Sequence, residues 1–101
     1  MKPIRITKHA QEQFNYRGTT EEEIIETIQT SNWAPAELGR LEARKDFSFN
    51  STWNKKFYKI KQVRPIFIEE ESEIVVVTVY VYYVWKGGET MKITYDPEVD
   101  A

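Results

Sequence analysis

Two stretches near the start of the chain carry a helical pattern, with apolar residues recurring three and four positions apart. This spacing predicts helices from Lys8 to Tyr16 and from Glu21 to Thr30. Thr7 and Thr20 precede them, and threonine side chains at such positions accept hydrogen bonds from the first turn of a helix. Gly18 supplies the left-handed residue that commonly ends a helix.

The rest of the chain is dominated by strand patterns rich in β-branched and aromatic residues. The predicted strands are Lys2 to Ile6, Arg40 to Phe49, Lys56 to Ile68, Ile74 to Trp85 and Thr90 to Tyr95. The connections are a loop from Trp33 to Leu38, a turn from Asn50 to Asn54, a hairpin loop from Glu69 to Glu73 and a Gly87-Gly88 turn.

The stretch from Ile74 to Trp85 is the strongest strand signal, because nearly every residue in it is β-branched or aromatic. It predicts a central strand buried on both faces, with Val77, Val79 and Val81 on one core-facing side. Pro65 cannot donate a ladder hydrogen bond, so a bulge or bend is expected there.

The element order predicts one α+β domain over residues 1–95, followed by an acidic tail over residues 96–101. The predicted order is β-α-α-β-β-β-β, in which the last strand precedes the tail. We expect the two N-terminal helices to pack together on one face of a curled antiparallel sheet.

Charge is unevenly distributed along the chain. The formal net charge is -2, yet the stretch from Arg40 to Arg64 holds eight basic residues and two acidic ones. This asymmetry suggests a basic face on an acidic body. The alternative is that the strands simply expose long charged side chains to water.

Several kinds of chemistry are excluded by composition. The chain has no cysteine and one histidine, which excludes disulfides and the usual zinc ligand sets. We therefore expect no metal and no cofactor. A reducing, cytoplasmic location is expected, because the N-terminus lacks the apolar core of a signal peptide and no apolar run is long enough to span a membrane.

A motif in the first helix resembles a known family. The string His9-Ala10-Gln11-Glu12-Gln13-Phe14-Asn15-Tyr16-Arg17-Gly18-Thr19-Thr20 is similar to the form His-Ala-x-x-Arg-(Met/Phe)-x-x-Arg-Gly-(Ile/Val)-(Ser/Thr). That form is found in the bacterial RelE/ParE-like toxin superfamily, in an uncharacterised branch near the BrnT-type toxins. The likeness continues through a Glu-rich second helix and Gly39-Arg40, and covers most of residues 4–84. Gln13 and Thr19 depart from it.

The resemblance implies a RelE-like fold and a toxin of a type II toxin-antitoxin system that acts on RNA. The superfamily includes ribosome-dependent and free ribonucleases, gyrase poisons and members with no known activity. The first hypothesis is therefore an RNA-directed toxin, acting as a metal-independent endoribonuclease on RNA or at the ribosome. The rival is a non-catalytic module on the same fold that binds protein or RNA.

His9 and Arg17 are the first catalytic candidates. Histidine readily exchanges a proton at neutral pH, so His9 could accept the proton of the ribose 2′-hydroxyl or donate a proton to the leaving 5′-oxygen. Arg17 could stabilise the charged transition state. Alternatively, His9 bonds a backbone carbonyl and locks the helix to the sheet, and Arg17 pairs with a glutamate of the second helix.

The basic strand residues are the better candidates for contact with RNA. We expect five of them to line one basic surface: Arg40, Arg44, Lys59, Lys61 and Arg64. RelE-like nucleases resemble one another in using sheet arginines and lysines, which makes Lys59 and Lys61 catalytic candidates as well. Tyr58 or Tyr82 could stack on a base, and packing in the core is the alternative for these tyrosines.

A basic face would attract a small acidic antitoxin-like protein. Part of such a partner would fold on binding, laying a helix on the sheet or adding a strand to its edge. The alternative is a homodimer, in which the acidic face from Glu21 to Glu26 docks on the basic sheet of a second copy.

Overall fold

The computed structural model describes residues 2–84 and 93–94, which form an α+β fold of two helices and a mixed β-sheet. The elements are β1 Ile4–Ile6, α1 Lys8–Arg17, α2 Glu21–Thr30, β2 Ala34–Pro35, β3 Leu41–Glu42, β4 Lys45–Trp53, β5 Lys56–Glu69, β6 Ile74–Val84 and β7 Ile93–Thr94. A short 3-10 turn, Glu37–Gly39, lies between β2 and β3. Trp85, the Gly87-Gly88 turn, most of the last predicted strand and the acidic tail lie outside the described residues.

The helix ends follow the local signals in the sequence. The Thr7 hydroxyl accepts a hydrogen bond from the Ala10 amide at 3.2 Å, and the Thr20 hydroxyl accepts one from the Glu23 amide at 3.2 Å. Gly18 ends α1 with φ 77° and donates its amide to the Phe14 carbonyl at 2.8 Å. Both predicted helices and their caps are confirmed.

The sheet is mixed, so the prediction of a fully antiparallel sheet is wrong. The strand order is β1-β6-β5-β3-β2, with β4 also paired to β5 and β7 to β6. β1 runs parallel to β6, with Ile4 opposite Ile74. The chain leaves β1 through two helices that cross the sheet, so no hairpin forces these strands to run antiparallel.

The predicted strand from Arg40 to Phe49 is divided into β3 and β4, and the division lies opposite Pro65. The Pro65 carbonyl accepts a hydrogen bond from the Ala43 amide at 3.4 Å. The proline nitrogen, which has no hydrogen to donate, therefore faces the break between the two strands. β4 also continues through the predicted turn, past a bulge at Asn50, and the turn itself is only Asn54 and Lys55.

A bulge in β6 corrects the predicted core face. Ile66 lies opposite Thr78 and Phe67 opposite Val76, so Val77 has no counterpart in β5. As a result Val76 and Val79 join the core, and Val77 is only half-buried. The prediction that Val77 shares a core face with Val79 is wrong.

The core lies between the two helices and one face of β5 and β6. Its buried members are Ile6, Ala10, Ile24, Ile28, Ala43, Val63, Phe67, Ile74, Val76 and Val79. A second cluster joins Tyr58, Val81 and Tyr83 to the half-buried Phe49 and Trp53. β6 lies between β5 and β1, so its predicted central position is confirmed. Among the residues described, no helix is long and apolar enough to cross a membrane.

Candidate functional site

A groove of about 720 Å³ lies on the sheet face opposite the helices, and we call it the open-face groove. Residues of β5 and β6 that alternate with the core residues form its floor, because successive strand side chains point to opposite faces. The loop from β2 to β3 forms its rim. The lining residues are Pro35, Ala36, Glu37, Leu38, Arg40, Glu42, Arg64, Ile66, Thr78, Tyr80 and Tyr82.

The rim of the groove contains a backbone conformation that is unfavourable for its residue. Leu38 has φ 60° and ψ 33°, in the left-handed region, and its side chain is 83% exposed. A non-glycine residue in this region is strained by about 1–2 kcal/mol. The loop is closed by hydrogen bonds between the backbone of Ala36, Glu37 and Arg40. Leu38 is thus an exposed apolar residue beside the groove, in a loop that its own backbone hydrogen bonds stabilise.

Glu42, Arg64 and Tyr82 are joined by hydrogen bonds on the groove floor, and we call them the Glu42–Arg64–Tyr82 cluster. Arg64 donates from Nε and Nη2 to Glu42 Oε1 at 2.9 and 2.6 Å, and from Nη1 to the Tyr82 hydroxyl at 2.9 Å. Arg44 donates from Nε to the other Glu42 oxygen at 3.1 Å. The Arg64 guanidinium also lies over the Tyr80 ring, 5.4 Å from its centroid.

This cluster fixes the charge states of its members. Burial acts to raise the pKa of Glu42, but the hydrogen bonds and charges of Arg64 and Arg44 outweigh it and hold that pKa below its usual value. Burial acts to lower the pKa of Arg64, and its bonds to Glu42 and Tyr82 raise it instead. Glu42 is therefore an anion and Arg64 a cation at neutral pH.

The lowered pKa of Glu42 predicts a pH dependence of stability. Because its folded-state pKa lies below the unfolded value, Glu42 contributes stability that is present above the unfolded pKa and is lost as the pH falls through the folded one. We expect the melting temperature of Glu42→Gln to fall less than that of the parent as the pH is lowered from about 7 to about 3. Glu71→Gln, in an exposed loop, is the control. Parallel curves for Glu42→Gln and the parent would contradict the assignment.

Helix α1 covers the edge of β6 with side chains in place of a neighbouring strand. Gln13 Oε1 accepts hydrogen bonds from the Thr78 hydroxyl at 2.7 Å and the Val79 amide at 3.2 Å. Arg17 is buried and donates from Nη1 to the Val79 carbonyl, and its guanidinium lies 5.1 Å from the centroid of the Tyr80 ring. Both backbone groups of Val79 are thereby satisfied, in the part of β6 between its pairings with β1 and β7.

His9 lies outside the open-face groove. Its side chain is exposed in a smaller pocket of about 360 Å³ on α1, and its Nε2 is 3.2 Å from Gln13 Nε2. Because Gln13 Oε1 accepts two bonds from β6, its amide group donates to His9, which assigns the proton of the neutral ring to Nδ1. His9 therefore bonds a side chain rather than a backbone carbonyl, and the Arg17 guanidinium bonds the backbone of β6.

Lys61 is placed on the opposite face from the groove. It is buried, donates from Nζ to the Gly18 carbonyl at 2.8 Å, and forms an ion pair with Glu23 Oε2 at 2.9 Å. Arg64 is three residues further along β5, so it points to the other face. The structure thus does not bring the five predicted basic residues onto one surface.

Of the remaining predicted residues, only some meet at the groove. Arg40 and Tyr82 line it with Arg64, and Arg44 reaches it through Glu42. Lys59 is exposed, and Tyr58 is buried 5.4 Å from the ring centroid of Tyr83. Sequence reasoning missed Glu42, although it is one of the two acidic residues in the basic stretch.

In residues 2–84 and 93–94, no three histidine or carboxylate side chains cluster in a way that could hold a metal ion. Comparison with family models, curated proteins and solved structures finds no match for this chain.

Proposed function

We propose that this protein is a toxin-like, RNA-directed, metal-independent ribonuclease that acts in the open-face groove. The observation that carries the proposal is the Glu42–Arg64–Tyr82 cluster, in which a carboxylate, a guanidinium and a phenol are joined on the floor of an open groove. The resemblance of the α1 motif to RelE/ParE-like toxins supports the same function.

Binding of RNA would begin at the rim. The groove volume falls within the range of about 300–1,000 Å³ that is typical of ligand sites. Arg40 has no side-chain hydrogen bond or ion pair within the described part of the chain, so its guanidinium is available to a phosphate. Leu38 offers an exposed apolar side chain to a base beside it. Single-stranded RNA, whose bases are unstacked, suits such a surface.

The cluster supplies the groups that RNA cleavage needs. Glu42 would accept the proton of the ribose 2′-hydroxyl, whose oxygen then bonds to phosphorus. Arg40 and Arg64 would stabilise the negative charge on the phosphate. Tyr82 would donate its proton to the leaving 5′-oxygen as the P–O5′ bond breaks. The products are a 2′,3′-cyclic phosphate and a 5′-hydroxyl, and exchange with water restores both side chains.

One observation favours a second function, which is binding without cleavage. Both oxygens of Glu42 already accept hydrogen bonds from arginines, and its pKa is lowered, which makes it a weak base. A module that only holds RNA would need the same groove and the same arginines, but not proton transfer by Glu42.

Incubation of the protein with end-labelled single-stranded RNA in the presence of EDTA tests the proposal. We expect fragments that end in cyclic phosphate. Glu42→Gln and Tyr82→Phe should each slow cleavage about 10²–10⁴-fold while RNA binding persists. Arg40→Ala should weaken binding about ten- to a hundredfold, and Arg5→Ala, an exposed arginine outside the groove, is the control.

The outcomes separate the two functions. RNA that binds in an Arg40-dependent way but stays intact would replace the ribonuclease with the binding module. RNA that neither binds nor is cut, with the protein folded, would overturn both.

A further inference from the structure

Glu37 is a second carboxylate of the open-face groove, and the Glu42–Arg64–Tyr82 cluster does not use it. It lies on the rim, at the start of the 3-10 turn, and its side chain is exposed. Within the described part of the chain, the Glu37 carboxylate has no hydrogen bond and no ion pair. An ionised carboxylate only accepts hydrogen bonds, so both of its oxygens are available to a donor in the groove.

The position of Glu37 is set by the backbone of the rim. The Arg40 amide donates to the Glu37 carbonyl at 3.1 Å, and the Ala36 amide donates to the Arg40 carbonyl at 2.8 Å. Arg40 lines the same groove three residues after Glu37, yet no bond joins the two side chains. Other glutamates of the described chain do pair with a cation, as Glu23 does with Lys61 at 2.9 Å. The rim thus carries two opposite charges that the backbone keeps near each other but that do not pair.

The residues between these two charges leave the rim open and apolar. Leu38 is 83% exposed, and a Cβ atom added at Gly39 would meet nothing within 4 Å. Four consecutive residues therefore present a hydrogen-bond acceptor, an apolar side chain and a cation along one rim. An unstacked nucleotide offers the three complementary parts, which are the donors on its base edge, the face of its base and its phosphate.

A carboxylate at this place discriminates between the four bases of RNA. The Watson–Crick edge of guanine has two adjacent donors, N1–H and N2–H, which match the two oxygens of a carboxylate. Adenine and cytosine each offer one donor beside an acceptor nitrogen, and the one donor of uracil lies between two carbonyl oxygens. Each of these three bases would place an acceptor against the carboxylate, and a covered charge without its donors costs affinity.

We propose that Glu37 selects guanine at the rim of the open-face groove, by accepting hydrogen bonds from N1–H and N2–H of an unpaired guanine in single-stranded RNA. Leu38 lies against the face of that base, and Arg40 binds its phosphate. This inference rests on the proposed function, because it names the base that the same groove takes. It needs RNA to bind in the groove, and it does not need RNA to be cleaved.

Binding of uncleavable RNA to the full-length protein tests this selection separately from catalysis. The probes are heptamers of uridine with one central guanosine, adenosine or inosine, and their sugars carry fluorine in place of the 2′-hydroxyl that would attack phosphorus. All probes have the same phosphates, so the salt-dependent part of binding cancels when they are compared. We expect the guanosine probe to bind about ten- to a hundredfold more tightly than the adenosine probe. Inosine, which lacks the N2 amino group, should fall between them, and 7-deazaguanosine, whose Watson–Crick edge is unchanged, should bind like guanosine.

Glu37→Gln is the decisive variant, because the glutamine amide replaces one acceptor by a donor that faces a guanine donor. We expect it to weaken the guanosine probe about ten- to a hundredfold without weakening the adenosine probe. Glu71→Gln, in an exposed loop, is the matched control and should keep the parental preference. Leu38→Gly retains the left-handed backbone and removes only the side chain, so it should weaken all of the probes by a similar factor, about three- to tenfold.

Three results would overturn the proposal. They are equal binding of the guanosine and adenosine probes by the parent, an unchanged guanosine preference in Glu37→Gln, and guanosine 5′-monophosphate that binds as tightly as the guanosine heptamer. The last result would identify a free guanine nucleotide, rather than an RNA strand, as the ligand. Failure of every probe to bind would overturn the proposed function and this inference together. Guanosine-selective binding of the heptamer, with unmodified RNA left intact, would contradict the ribonuclease alone.

Discussion

Val79→Asp is expected to abolish folding of the protein. Val79 is 0% exposed, and it belongs to the core cluster between the helices and the sheet. A carboxylate without a partner in this position costs several kcal/mol, against a total stability of about 5–15 kcal/mol for a domain of this size. The variant should be insoluble, or show no cooperative transition when it is heated and followed by circular dichroism.

Val77→Asp is the matched control, two residues away in the same strand. Val77 is half-buried and has no counterpart in β5, because the β6 bulge removes it from the register. We expect this variant to be soluble and to melt cooperatively, with a lower melting temperature than the parent. The reverse outcome, a folded Val79→Asp and an unfolded Val77→Asp, would show that the bulge is misplaced.

Local signals in the sequence were sufficient for the helices and for most strand positions. Thr7, Thr20 and Gly18 act within a few residues of themselves, so their roles could be predicted without knowledge of the fold. The face of the sheet on which Val77 lies could not be predicted in this way, because it depends on a bulge that is defined only by the pairing with β5. A one-residue shift of this kind moves every following side chain to the other face.

The candidate site was predicted only in part, because its members come from distant segments. Glu42 and Arg64 are 22 residues apart, and Arg64 and Tyr82 are 18 apart. A lysine such as Lys61 is expected to be exposed because it is charged. It is buried instead, because its ammonium group bonds the Gly18 carbonyl and pairs with Glu23. Neither partner is near Lys61 in sequence, so its burial has no local signal.

The α1 motif connects the fold to the groove. Gln13 and Arg17 lie one helical turn apart and both bond the backbone of β6 at Val79. Arg17 on α1 and Arg64 on β5 both contact the Tyr80 ring. The motif therefore stabilises the β6 edge and positions Tyr80 in the groove lining. Such a structural role accounts for the motif without placing Arg17 in the chemistry.

Gly18→Ala is expected to destabilise the protein strongly through both strain and steric overlap. Gly18 has φ 77°, and a Cβ atom there would lie only 3.0 Å from Trp53 and in direct overlap with the Tyr83 hydroxyl. Tyr83 is 0% exposed and donates its hydroxyl to the Arg17 carbonyl at 2.7 Å, so it cannot move aside without losing that bond. Left-handed strain of about 1–2 kcal/mol and overpacking of about 1–3 kcal/mol together predict a loss of about 2–5 kcal/mol in the free energy of unfolding.

Gly39→Ala separates these two contributions, and urea denaturation of both variants measures them. Gly39 has a similar φ of 73°, but a Cβ atom there would meet nothing within 4 Å. We expect Gly39→Ala to lose only the strain, about 1–2 kcal/mol, so the difference between the variants isolates the contact with Tyr83. Tyr83→Phe in the Gly18→Ala background should recover part of the loss, because it removes the overlapping oxygen. Equal losses for Gly18→Ala and Gly39→Ala would mean that the ring of Tyr83 does not lie against the end of α1.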